Sequence, residues 1–194
     1  FTATLINAGA AVVFVQAAAL GYDGTELQGA INEDKVAQAK LEAIRAFGAV
    51  RMGLAVDAAQ AAKRPLTPKL VYVAPSKDYV SSSGTPVYSS DIDFLARALS
   101  MGKLHHAIMG TASVALAAAA AIRGTVVNTA AGGGSCGLVC FGHPSGTMRV
   151  GAEVRQSGGS WAVTRAVMSR SARVLMEGAV RVPDDSRYLQ MAQR

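Results

Sequence analysis

One short stretch of this chain gathers nucleophilic, basic and imidazole side chains. Ser100, Met101, Gly102 and Lys103 are followed by His105 and His106, and Met109, Gly110 and Thr111 open an alanine-rich run. A helix starting near Gly110 and Thr111 leaves its first N–H groups without intrahelical partners. Its aligned peptide dipoles add roughly half a positive charge at that end. Small residues let a ligand approach those amides closely. With Lys103, His105 and His106 one loop upstream, such an end can cradle a carboxylate or a phosphate. In the plainer alternative, Thr111 caps the helix and the histidines pack in the core. The residues alone leave both open.

Other patterns fail on context. Gly132-x-Gly134-x-x-Gly137 matches the dinucleotide fingerprint by letter, but residues 138–141 (LVCF) read as strand. That fingerprint needs a helix N-terminus directly after the glycines, so that amides face a pyrophosphate. Cys136, Cys140 and His143 invite a zinc site. Residues four apart on a strand lie about 13 Å apart, too far to share a tetrahedral ion, so no metal is expected. Ser100-Met-Gly-Lys103 is a literal Ser-x-x-Lys, yet Ser-Asp-Asn and Lys-Thr-Gly companions are absent. Residues 142–146 (GHPSG) lack the spacing of a nucleophile elbow and read as a Pro/Gly turn.

The elements that must position these residues follow from periodicity. Residues 5–15 read as two short strands around a small-residue turn. Asn32 is the expected cap of a helix with Glu33 and Asp34 in its first turn, and with Val36, Leu41, Ile44 and Phe47 at helical spacing up to Gly53. Asp57 opens a shorter helix ending before Pro65, and residues 69–74 (KLVYVA) are a buried strand. After the 81–84 loop, Ser90 or Asp91 is expected to cap a helix running to Ser100. The helix at about 109–123 carries no charge on any face, and a helix apolar all round is buried all round. Strands are expected at 125–128, 139–141, 147–154, 161–168 and 174–182. The fold class is α+β, a sheet wrapped around one central helix.

Composition narrows the function classes. The chain has 194 residues, is 51% hydrophobic and only 16% charged, and carries a net charge of +6, which excludes a disordered tail. Its basic residues are scattered, so nucleic acid is not an expected partner. The uncharged stretch 107–122 is shorter than the ~20 residues needed to span a bilayer, so no membrane association is expected. Two cysteines make no disulfide framework, and a reduced cytoplasmic compartment is the default. Phe1 without an initiating Met or a basic leader reads as a start inside a longer protein.

The residues from 91–93 (DID) through 99–106 (LSMGKLHH), Gly110-Thr111, 124–128 (GTVVN), 142–146 (GHPSG), 169–173 (SRSAR) and 176–178 (MEG) resemble the PrpF family. Segments 5–9, 21–27, 51–53, 68–69 and 74–75 extend the resemblance over nearly the whole chain. These proteins are 2-methylaconitate cis-trans isomerases, relatives of diaminopimelate epimerase. Other relatives isomerise aconitate, 3-methylitaconate or 4-oxalomesaconate.

The resemblance implies a diaminopimelate epimerase-like lobe, a curled, mostly antiparallel sheet around the central helix, and an active site between two such lobes. It implies that residues 1–183 are the C-terminal lobe of a protein twice as long, with 184–194 a tail. The family's acid/base Lys and Cys would then lie in the absent N-terminal lobe. By the fold's pseudo-symmetry, Lys69 takes the place of that Lys and Met109 that of that Cys. Methionine cannot carry a proton, so this lobe is expected to bind substrate carboxylates and the catalytic residues remain unassigned. The reaction implied is isomerisation of an unsaturated tricarboxylate in the methylcitrate route of propionate breakdown. It runs by proton removal and return and needs no cofactor. Expected partners are the tricarboxylate, the N-terminal lobe and, as an open question, a second copy. The rival reading is a carboxylate-binding or assembly module without chemistry.

Overall fold

The computed structural model describes residues 2–169 and 172–181. Two strands, β1 (Ala3–Ala8) and β2 (Ala10–Gln16), form a hairpin through Gly9. Helices α1 (Gln28–Asn32), α2 (Lys35–Arg51) and α3 (Ala58–Ala62) follow. Then come β3 (Lys69–Pro75), the small hairpin β4 (Tyr79–Val80) and β5 (Pro86–Val87), β6 (Phe94–Ser100) and β7 (Lys103–Leu104). The central helix α4 (Gly110–Ala121), the short α5 (Val126–Ala130) and the strands β8 (Leu138–His143), β9 (Gly146–Ser157) and β10 (Ser160–Met168) complete the fold.

The main sheet runs β1-β2-β3-β6-β8-β9-β10, with β7 paired to β6. The β2–β3 and β6–β8 pairs are parallel and the other neighbours antiparallel. Both faces of the central strands are covered. Val12, Phe14, Val71, Val73, Phe94, Ala96 and Phe141 turn inward onto α4. Val13, Val15, Leu70, Tyr72, Leu95 and Leu99 face outward beneath Leu20, Ile31 and Leu41. That double cover explains why β2, β3 and β6 read as continuous apolar runs rather than alternating ones. Helix α4 is buried along most of its length, and its alanines let β1, β2, β9 and β10 approach it from several sides. The result is the curled α+β lobe implied by the resemblance.

Four expectations need correction. Asn32 does not cap α2; it ends α1 and clamps β7, its Oδ1 accepting from Leu104 N at 2.7 Å. Asp34 caps α2 instead, accepting from Val36 N and Ala37 N. Val36 and Phe47 are exposed, and the buried stripe of α2 is Ala37, Leu41, Arg45 and Gly48. Residues 94–100 are a strand, not a helix. The run FLARALS is built of helix formers, but pairing to β3 and β8 buries it on both sides, and periodicity alone cannot separate a buried strand from a buried helix. Residues 126–130 are a helix because Thr125 caps them, its Oγ1 accepting from Asn128 N at 3.0 Å. No strand forms over 172–181; Val182 lies outside the described residues. The strands expected at 139–141, 147–154 and 161–168 are present.

Candidate functional site

One end of the sheet collects most of the chemistry-bearing residues. Strands β1 and β6 finish there, and the parallel pair β2 and β3 begins there, with Val12 beside Lys69. Lys69 faces Ser100 across β3 and β6, and its Nζ donates to Ser100 Oγ at 2.7 Å. Burial holds the Lys69 ammonium below the ordinary lysine range, and the charge of Arg45 adds to that effect. Met101 (φ 54°) and Gly102 (φ 73°) make the tight turn between β6 and β7. Both turn residues lie in the left-handed region, a conformation that costs a non-glycine residue roughly 1 kcal/mol or more.

The N-terminus of α4 meets this end at the β1–β2 hairpin. Gly9 (φ 73°) comes so close that a Cβ there would lie 3.1 Å from both Thr111 O and Val114 Cβ. The N-cap position is Met109, whose side chain accepts no hydrogen bond. Ser113 N donates to Met109 O at 2.9 Å, so the helix is properly wound from its first turn. Among the described residues, the N–H groups of Gly110, Thr111 and Ala112 have no partner. Ser113 Oγ turns back to Met109 O rather than covering them. Thr111 is exposed and does not act as the cap. The amides of residues 110–112 are therefore left without a protein acceptor among the described residues.

The loop into α4 is held from the side. The rings of His105 and His106 stack with centroids 4.5 Å apart, and Ala107 N donates to His105 Nδ1 at 3.1 Å. Ser145 Oγ donates to the His106 carbonyl, and Ser145 N donates to His143 Nδ1 at 3.2 Å. The β8–β9 turn therefore braces the helix entrance. Burial pushes the His143 imidazole down to about 4, with the charge of Arg97 acting in the same direction. Lys103 points elsewhere: its Nζ donates to Asn32 O at 3.1 Å, on the α1 side. The sequence-predicted set thus divides. Lys69, Ser100, Met101, Gly102, Met109, Gly110 and Thr111 share one end, His105 and His106 form its side wall, and the Lys103 ammonium is engaged away from it.

The glycines at 132–134 join α5 to a strand, so no helix end stands behind them. Among the described residues, no group of three His, Cys, Asp or Glu side chains could hold a metal ion. No helix among them is long and apolar enough to cross a membrane. Sequence reasoning missed Arg45 here, and left open whether His143 and Ser145 reach the site or only shape a hairpin. Arg45 was legible as a charge four residues after buried Leu41, on the inward stripe of α2. Ser145 sits inside a motif that reads first as a turn.

Comparisons with known proteins agree with this fold. The family model described as PrpF protein matches residues 1–183. The chain is 62% identical over 183 residues to the 2-methyl-aconitate isomerase of Shewanella oneidensis, covering 94% of this chain and 46% of that protein. It is 35% identical over 173 residues to the 3-methylitaconate isomerase of Eubacterium barkeri, covering 88% and 44%. The crystal structure of a methylitaconate-delta-isomerase superposes with a TM-score of 0.79 at 32% identity, over 92% of this chain and 46% of that one. The chain spans about half the length of the curated relatives it matches. On the family match and the shared fold, the chain belongs to the PrpF family.

Proposed function

We propose that this chain is the C-terminal, carboxylate-binding lobe of a cis-trans isomerase acting on 2-methylaconitate or a similar unsaturated tricarboxylate. One observation carries the reading: three unpartnered amides at the open end of α4 share an end of the sheet with Lys69. The high identity to 2-methyl-aconitate isomerases supports the substrate class. The amides and the helix dipole hold one carboxylate, and Lys69 with Ser100 holds another. A net charge of +6 favours the approach of a trianion.

In this reaction a base takes a proton from carbon beside a conjugated carboxylate, leaving a delocalised carbanion. The former double bond gains single-bond character and can turn, and a proton then returns to carbon. Atoms and charge balance without a redox partner. Charge that develops on the carboxylate is met by the preorganised donors of this lobe. The acid and base come from the other half of the protein, which faces this end. The same reading places the enzyme in the cytoplasm, in the methylcitrate route of propionate breakdown.

A second reading, a carboxylate-binding module without chemistry, is favoured by Met109, which cannot transfer a proton yet stands at the helix entrance. Incubating the full-length protein with 2-methylaconitate in deuterium oxide separates the two. The isomerase incorporates solvent deuterium into the isomerised product. Binding of trans-aconitate without deuterium exchange selects the module, and absence of both removes the carboxylate reading.

A further inference from the structure

Arg45 is a charged side chain buried to 4% exposure in the middle of α2. Burying a guanidinium costs several kcal/mol unless its donors and its charge are satisfied. Here they are satisfied by a particular set of partners. Nε and Nη2 form a two-pronged pair with the Glu42 carboxylate at 2.7 and 2.6 Å. The remaining donors reach main-chain carbonyls: Ala61 O at 2.8 Å, Thr67 O at 3.0 Å and Arg64 O at 3.5 Å. Ala61 lies at the end of α3, while Arg64 and Thr67 belong to the connection from α3 into β3, Thr67 two residues before Lys69. On its other side, the Arg45–Glu42 pair lines a crevice with Leu70, Leu99, Met101 and Gly102, beneath the β6–β7 turn. One planar fork therefore ties α2 to the end of α3 and to the connection that runs into Lys69, and it lies across a crevice from the end of β6 that carries Ser100. A lysine could not span these sites, because its ammonium is a single point with no fork.

We propose that Arg45 is a positioning residue for Lys69, its buried fork fixing residues 61–67 at the entry to β3 so that the Lys69 ammonium is held at the helix-entrance end. This rests on the carboxylate-binding reading only for the role of Lys69, not for its placement. Burial comes first, and the charged group bearing on Lys69 is Arg45 of α2, whose charge is partly offset by its counter-ion Glu42. β6 offers the neutral Ser100 and β2 the apolar Val12. A cation nearby disfavours the protonated lysine, so removing it raises the Lys69 titration midpoint, and removing Glu42 lowers it.

The test is acetylation of the full-length protein by acetic anhydride across a pH series, with the rate at Lys69 read by peptide mass spectrometry, with and without trans-aconitate. Arg45→Gln is expected to move the Lys69 midpoint upward and to weaken trans-aconitate protection by roughly tenfold or more. Arg45→Lys keeps the charge without the fork, so the midpoint stays near the parent value while protection still weakens. Glu42→Gln, at a partly exposed site, moves the midpoint down and decides the matter if Arg45→Gln does not fold. A folded Arg45→Gln protein with the parent midpoint and parent protection overturns the proposal, as does an unmoved midpoint in Glu42→Gln. If trans-aconitate fails to protect Lys69 in the parent, the carboxylate reading falls, while the midpoints still judge Arg45.

Discussion

At the residue scale, His143 makes the stability of this protein depend on pH. Its ring is 9% exposed, accepts a hydrogen bond at Nδ1, and is held neutral down to about 4 against an ordinary value of 6.5. The unfolded chain takes up this proton first, so stability is full above about 6.5 and falls as pH drops toward 4. About 2 kcal/mol should be gone by pH 5 relative to pH 7, measured by urea unfolding, and His143→Phe should flatten that dependence. Equal pH slopes for parent and variant would refute the assignment. Met101 offers a second test. Its φ of 54° at the first position of a two-residue turn suits Asn far better. Met101→Asn is expected to raise stability by roughly 0.5–1 kcal/mol in thermal melts and to weaken trans-aconitate binding, because strain kept at an exposed apolar residue marks a working position. The unpartnered amides of 110–112 follow from a cap residue, Met109, that cannot accept, where the sequence reading offered Thr111 as the cap.

At the element scale, α2 and α4 were legible in the sequence for different reasons, and their neighbours less so. Helix α4 announced itself by its uncharged alanine run, and burial on most sides followed. Helix α2 was legible in extent but not in facing. Its larger apolar residues Val36 and Phe47 look outward, while Gly48 lies against β2. A Cβ at 48 would stand 2.3 Å from Val13 Cγ2. Gly48→Ala should therefore destabilise by about 1–3 kcal/mol, although helix propensity alone favours alanine by about 1 kcal/mol; a gain in melting temperature would contradict this packing. Strand β6 was misread because Leu, Ala and Arg favour helix locally, and only its pairing to β3, β7 and β8 decides otherwise. Helix α5 was misread because the Thr125 cap competes with two β-branched valines, and its bond from Asn128 N outweighs their strand preference. Tertiary partners, absent from any local window, settled both.

At the scale of the whole molecule, the order of motifs in the sequence carried the family and the curled lobe, while the side chains holding the site together were visible only in three dimensions. The lobe presents apolar surface that stays exposed among the described residues. Val174, Leu175, Met176 and Val180 are 74–88% exposed, a run of large apolar side chains of the kind that marks an interaction surface when contiguous. β1 and β10 leave a groove of about 680 Å³ between them, over Ala118 and Ile122. Both features fit a chain that spans about half the length of its relatives. In the full-length protein the amides of 174–180 should exchange with deuterium slowly, and in this chain alone quickly; fast exchange in both would show that the other half leaves them uncovered. The central claim is that the free amino end of α4 receives a substrate carboxylate, and Met109→Asp tests it most directly. An aspartate at that position caps the helix with the protein's own carboxylate, adding about 1 kcal/mol of stability. Calorimetric titration of the full-length variant with trans-aconitate should then show affinity lowered by roughly tenfold or more, the ligand carboxylate having lost its amides and met a like charge. A Met109→Asp protein that melts higher yet binds trans-aconitate as tightly as the parent would contradict the account.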